Sequence, residues 1–224
     1  MGRSITLPVA GTPRIGAYLA EPAGAPKGGI VVVQEIFGVT AHIRAVADRF
    51  AEAGFTAIAP AFFDRLERGV ELPYDADGIA RGRALIDELG IERPLEDVAS
   101  AAAAIASAGR VGVVGFCWGG TVALLSALRL GLPGVSYYGG RNAAFLDETP
   151  KAPLMFHFGA ADPSIPPATV QLHRQKLPQA AVYSYAGAGH AFNRDVDPHA
   201  YHADSAQQAW RRTLAFLELH LASA

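Results

Sequence analysis

The stretch Val111-Gly112-Val113-Val114-Gly115-Phe116-Cys117-Trp118-Gly119-Gly120 restricts the fold more than any other part of the chain. Its β-branched start reads as a short strand buried on both faces. Gly115, Gly119 and Gly120 then bracket a turn, and 121–128 (Thr121-Val122-Ala123-Leu124-Leu125-Ser126-Ala127-Leu128) reads as a helix packed back on a sheet. Gly115-x-Cys117-x-Gly119 is the pattern of a nucleophile elbow, with cysteine where serine is more usual. A tight turn of this kind lifts its central side chain out at the carboxyl end of the strand. Flanking glycines let strand and helix approach without a Cβ clash. The sulfur then sits at a helix N-terminus, whose partial positive charge favours thiolate. A lone cysteine in an apolar stretch can equally be a small buried hydrophobe, so its partners decide the matter.

The strands around the elbow give the architecture. Ile30-Val31-Val32-Val33, Phe55-Thr56-Ala57-Ile58-Ala59, Pro133 to Tyr138, Ala152 to Phe158 and a short run at 180–185 read as strands. Between them, helical spacing appears at 42–53, 78–90, 94–108 (with Pro94 in the first turn), 167–177 and 203–221. In the last of these Trp210, Leu214, Leu217 and Leu221 recur at three- and four-residue steps. Residues 3–20 read as a hairpin cut by Gly11-Thr12-Pro13, and 61–77 as an irregular excursion over the sheet's carboxyl edge. Short buried strands alternating with helices predict an α/β protein with a mostly parallel central sheet covered on both faces. Ligands bind such sheets beyond the carboxyl ends of the strands, where the loops at 34–38, 115–119, 159–162 and 187–190 emerge. No linker or repeat interrupts the chain, so 1–224 is expected to be one domain.

Composition narrows the function classes. The 224 residues carry a formal charge of −2, with no basic excess to suggest nucleic acid or an anionic membrane. One cysteine excludes an internal disulfide and suits a reducing compartment. The N-terminus lacks the apolar core of a signal peptide, and no apolar run is long enough to span a bilayer. A soluble cytoplasmic protein, monomeric for its size, is the expectation. His157, His173, His190, His199 and His202 show no metal-ligand spacing on a shared helix face, so neither a metal nor another cofactor is expected.

Chain order supplies the partners. Cys117 comes first, Asp162 follows the next-but-one strand, and His190 follows the strand after that. Nucleophile, acid, histidine is the order of the α/β-hydrolase fold. His190 would take the thiol proton and later protonate the leaving group, while Asp162 would fix the imidazole tautomer and offset its charge. Read singly, Asp162 before Pro163 could merely start a turn, and His190 could be an exposed loop histidine. An oxyanion hole needs two backbone N–H donors, expected from Trp118 and from Ile36 after the early strand. Trp118 could also be plain core packing.

Four segments carry a family resemblance: Gln34-Glu35-Ile36-Phe37-Gly38, Gly115-Phe116-Cys117-Trp118-Gly119-Gly120, His157-Phe158-Gly159-x-x-Asp162 and Gly189-His190-Ala191-Phe192-x-Arg194. Together they resemble the dienelactone hydrolase (carboxymethylenebutenolidase) family over nearly the whole chain. The resemblance implies an α/β-hydrolase that opens the ring ester of a dienelactone to maleylacetate in the breakdown of chlorinated aromatics. It implies that Glu35 holds the resting thiol and takes its proton when substrate binds, and that Arg194 binds the substrate carboxylate as a two-pronged donor. Alternatively, Glu35 is a solvated or capping carboxylate, and Arg194 a surface arginine paired with Asp195 or Asp197. The family's second carboxylate-binding arginine falls near Arg81 and Arg83 without an exact match, and Arg81 is the better candidate. Tyr137 and Tyr138 fall where the family has a tyrosine pair near the pocket.

The expected partner is thus a small lactone or ester bearing a carboxylate. A generalist carboxylesterase or thioesterase on the same scaffold would not need Arg194 or Arg81. A non-catalytic binding module would keep the fold but would not react with thiol reagents at Cys117.

Overall fold

The computed structural model describes residues 1–9 and 14–222. The expected Gly11-Thr12-Pro13 turn of the first hairpin lies outside them. The described chain forms two compact units, one from Met1 to Val113 together with the chain's end from Leu221, the other Val114–His220.

In the first unit the strand order is β1-β2-β4-β3. β1 (Arg3–Leu7) pairs antiparallel with β2 (Ile15–Ala20), and β2 antiparallel with β4 (Thr56–Pro60). β3 (Gly29–Val33) pairs parallel with β4, with Ile30 opposite Ala57 and Val31 opposite Ile58. Every residue of β3 and β4 is buried, as their continuous apolar runs require. Strand β2 instead alternates at its start, and Ile15, Ala17 and Leu19 share the buried face. Helix α1 (Ala41–Glu52) turns Ile43, Val46, Ala47 and Phe50 inward against β4 and β2. Two further helices follow, α2 (Ala76–Leu89), capped by the Asp75 side chain on the Gly78 N–H, and α3 (Glu92–Ala104), which packs on β3 and β4. Helix α3 starts two residues before Pro94, and a 3-10 turn at Ala106–Ala108 completes the expected span. The excursion at 61–77 contains a 3-10 turn, Phe62–Arg65, and a bridge from Glu71 back to Gly38. A buried ion pair anchors it: Arg65 donates through Nε to both Asp97 carboxylate oxygens, at 2.9 and 3.0 Å.

The unit boundary falls within β5 (Val111–Phe116), and the strand order from there is β5-β6-β7-β8. β6 (Gly134–Tyr137), β7 (Leu154–Gly159) and β8 (Ala181–Tyr185) are parallel, with Tyr137 opposite His157 and Gly159 opposite Tyr185. Helix α4 (Trp118–Leu125) packs on β6, and α5 (Pro167–Lys176) on β8. Helix α4 begins three residues before Thr121, because the elbow leaves no loop between Cys117 and the first helical turn. It then widens into a π-helical turn over Ser126–Leu130.

The long helix α6 (Ala203–Leu221) corrects one expectation. Leu217 and Leu221 are buried, but Trp210 and Leu214 sit at the edge of the buried face, which is built from Ala206, Ala209, Thr213, Phe216 and Leu217. Thr213 faces inward because its hydroxyl has buried work. Its Oγ1 lies 2.7 Å from the Tyr137 hydroxyl and 3.1 Å from His157 Nε2. His157 Nδ1 is in turn 2.9 Å from the Tyr185 hydroxyl. A polar chain thus runs through an otherwise apolar core with each named member satisfied, which is the condition for tolerating it there.

Candidate active site

The second unit brings Cys117, Asp162 and His190 together, and the local reasons are visible. Cys117 has φ 55° and ψ −117°, a left-handed conformation that a non-glycine residue adopts only under constraint. Two backbone bonds hold it there: its N–H donates to the Tyr137 carbonyl at 3.0 Å, and its carbonyl accepts from Gly120 at 2.9 Å. Gly115 must be glycine, since a Cβ would lie 1.8 Å from the Gly119 carbonyl oxygen. A Cβ on Gly120 would lie 2.7 Å from the Tyr137 carbonyl oxygen. The elbow is therefore packed backbone to backbone on both sides.

Asp162 and His190 sit on two loops tied to each other. Ala160 N–H donates to the Tyr185 carbonyl (2.8 Å), and Ala161 N–H to the Ala188 carbonyl (2.9 Å). Gly159 permits this approach, because a Cβ there would lie 2.4 Å from both the Ala188 and Gly189 carbonyl oxygens. His190 Nδ1 donates to Asp162 Oδ2 at 2.7 Å, and His190 Nε2 lies 3.2 Å from Cys117 Sγ. The other Asp162 oxygen accepts from the Ser164 N–H at 2.8 Å. The turn-initiating role and the histidine-orienting role of Asp162 thus coexist, one on each oxygen.

The electrostatics follow from this geometry. The Asp162 side chain is fully buried, and burial opposes its charge, yet the His190 bond and charge and the Ser164 N–H hold its carboxyl below the usual range. For His190 burial also disfavours the cation. The hydrogen bonds to Asp162 and Cys117, with their charges, outweigh it and raise the imidazole to about 10. The arrangement thus favours the protonated imidazole, in a site where the His190 side chain remains 29% exposed.

Around these three, Tyr138 (φ 41°) places its ring 5.1 Å from that of His190, and Tyr137 is buried beneath it. Trp118 opens α4 and is buried. Arg194 is buried rather than on the surface, and its Nη1 lies 3.0 Å from Asp197 Oδ2. In the first unit, Glu35 and Ile36 follow β3 and are buried, and the Ile36 carbonyl lies against α2, where a Cβ on Gly82 would come within 2.2 Å of it. Arg81 projects from α2 half exposed and pairs with Glu67 at 2.5 Å.

The Thr213–His157–Tyr185 chain had no sequence signal strong enough to find it, since a histidine within an apolar strand carries no mark of its partners. The turn at Asp162 and a pairing of Arg194 with Asp197 were both among the sequence readings. Among the described residues no group of three or more His, Cys, Asp or Glu is arranged to hold a metal ion. No helix among them is long and apolar enough to cross a membrane.

Comparison with known proteins finds relatives along nearly the whole chain. The family model for the dienelactone hydrolase family matches residues 15–221. The carboxymethylenebutenolidase of Pseudomonas putida is 33% identical over 213 residues, covering 90% of each chain. A Synechocystis protein that carries the same name provisionally is 34% identical over 232 residues, covering 93% of each. A Klebsiella pneumoniae subsp. pneumoniae protein, solved under a provisional dienelactone hydrolase assignment, is 32% identical and superposes with a TM-score of 0.85 over 96% of this chain and 97% of its own. The fold is that of the α/β-hydrolases.

Proposed function

Because the chain belongs to the dienelactone hydrolase family and is a hydrolytic enzyme, we propose that it cleaves a small carboxylate-bearing lactone or ester through Cys117, His190 and Asp162. The observation that carries the reading is the continuous hydrogen-bonded line from Cys117 Sγ through His190 to Asp162.

In this mechanism the Cys117 proton resides on His190 Nε2, and the thiolate attacks the ester carbonyl. The carbonyl π electrons move onto oxygen, giving a tetrahedral oxyanion for the backbone N–H groups of Trp118 and Ile36 to stabilise. Collapse expels the alkoxide or enolate oxygen, which takes the proton from His190, and leaves a thioester on Cys117. Water then attacks the thioester with His190 as base, and the sulfur leaves as thiolate. Asp162 stays ionised throughout and keeps Nδ1 protonated, so that Nε2 is the nitrogen that exchanges protons with substrate. Arg194, whose Nη1 pairs with Asp197, is the residue that would bind the substrate carboxylate as a two-pronged donor. By family resemblance Glu35 holds the resting Cys117 thiol until substrate binds, and Arg81 serves as the second carboxylate ligand.

The test is hydrolysis of a dienelactone, followed by loss of its ultraviolet absorbance, beside a neutral aryl ester. Wild type should turn over the lactone, Cys117→Ala should not, and Arg194→Ala should lose kcat/KM on the lactone but not on the neutral ester. Equal loss on both esters would remove Arg194 from carboxylate recognition. Cleavage of the neutral ester alone would point to the generalist esterase.

A further inference from the structure

His190 also forms one wall of a separate cavity of about 370 Å3. Its other walls come from Gly187 and from the segment 197–202, including Asp197, Ala200, Tyr201 and His202. Neither Cys117 nor Asp162 lines it. The volume falls within the range of about 300–1,000 Å3 typical of small-molecule sites.

The cavity is built. Asp197 organises its floor, accepting from Arg194 on Oδ2 and from the His199 N–H on Oδ1, while its carbonyl accepts from Ala200 (3.1 Å) and Tyr201 (2.9 Å). The His202 N–H is tied to the Phe192 carbonyl at 3.0 Å. Gly187 has φ 75°, a left-handed turn suited to glycine, and lies beside His202: a Cβ there would be 3.4 Å from Nε2.

The lining defines what fits. It includes Tyr201, His199 and His202, and among the described residues no lysine or arginine. The Asp197 carboxylate is already paired with Arg194 at 3.0 Å. A neutral, flat group with a hydroxyl suits these walls, because it can stack on the rings and hydrogen-bond to imidazole. The position relative to His190 matters most, since in the mechanism above His190 protonates the departing oxygen.

We infer that this cavity receives the alcohol half of the substrate, so that the enzyme also accepts open-chain esters of aromatic or enolic alcohols. The inference rests on the proposed hydrolase reading. The acyl half, with its carboxylate, would lie toward Arg194. The protonated alcohol would leave through the cavity, while the thioester stays on Cys117.

The experiment compares two monoesters of one dicarboxylic acid, each keeping a free carboxylate and differing only in alcohol: methyl and 2-naphthyl. Ala200→Phe fills the cavity and Tyr201→Ala removes its aromatic wall; both are checked for folding by thermal unfolding. With Ala200→Phe, kcat/KM for the naphthyl ester should fall about tenfold or more while the methyl ester is unaffected. Tyr201→Ala should lower the naphthyl ester by about three- to tenfold, and it decides the matter if Ala200→Phe does not fold. Equal losses on both esters, or a loss confined to the methyl ester, would overturn the inference. If wild type cleaves neither ester, the hydrolase reading is what fails, and 2-naphthol binding, read by its own fluorescence, judges the cavity alone. Binding that Ala200→Phe abolishes would support it, and absence of binding to wild type would overturn it.

Discussion

His157 is a buried base whose neutrality should be readable in the acid stability of the protein. Burial, aided by the nearby positive charge of Arg212, lowers its imidazole from 6.5 to about 3. The folded state therefore refuses a proton that the unfolded chain accepts. A depressed basic group contributes stability that is fully present above 6.5 and is lost as pH falls toward 3. Each unit of pKa difference corresponds to about 1.4 kcal/mol. Integrated over this interval, the loss attributable to His157 is about 2 kcal/mol at pH 5 and roughly 4 kcal/mol at pH 3. The perturbation is His157→Gln, which keeps hydrogen-bonding groups for Tyr185 and Thr213 but does not titrate. Urea unfolding at pH 7 and pH 5 measures both proteins. The variant should be less stable at pH 7, because its amide fits the site less well than the imidazole. Between the two pH values, however, wild type should lose about 2 kcal/mol more than the variant. Carboxylates and a further buried histidine, His173, also lowered chiefly by burial, are common to both and cancel in the difference. Parallel losses would refute the neutral, buried assignment of His157.

Further outcomes follow from other residues. Asp97 runs the opposite way: burial lifts it from 3.8 to about 6 against the pull of Arg65, so its folded form gains protons more readily and its contribution should grow as pH falls from 7 toward 4. Asp97→Asn should remove that rise, as seen by urea unfolding across the interval. Asp162→Asn should lower kcat by about ten-thousand-fold, by analogy with loss of the orienting acid in serine triads, with little change in the far-ultraviolet circular dichroism. Gly159→Ala should cost activity beyond its stability loss, because its Cβ would push the Ala188 and Gly189 carbonyls, and His190 with them, away from Asp162. Steady-state kinetics beside thermal unfolding checks this.

Much of the arrangement was legible in the sequence. The continuous apolar runs of β3, β4 and β5 announced strands buried on both faces, and Gly115-x-Cys117-x-Gly119 announced the turn that strains Cys117. Chain order then singled out Asp162 and His190 among all the acids and histidines. What stayed hidden depends on contacts between distant segments. Trp210 and Leu214 matched helical spacing as well as Ala209 and Thr213 do, but spacing cannot see that Thr213 has Tyr137 and His157 waiting for its hydroxyl. The start of α4 at Trp118 was hidden because glycines next to an elbow look like loop until the turn geometry is known. The burial of Arg194 depends on a loop, 191–197, whose fold follows from local turns and from Asp197, and composition favoured the surface for both residues.

The most direct measurement is intact-mass analysis of the enzyme, quenched in acid within the first turnovers on an activated ester. The account predicts a mass increase equal to the acyl group, confined to the peptide that contains Cys117, absent from Cys117→Ala, and longer-lived when the His190 proton transfer is slowed by Asp162→Asn. An acyl group on another residue, or undiminished hydrolysis by Cys117→Ala, would contradict it.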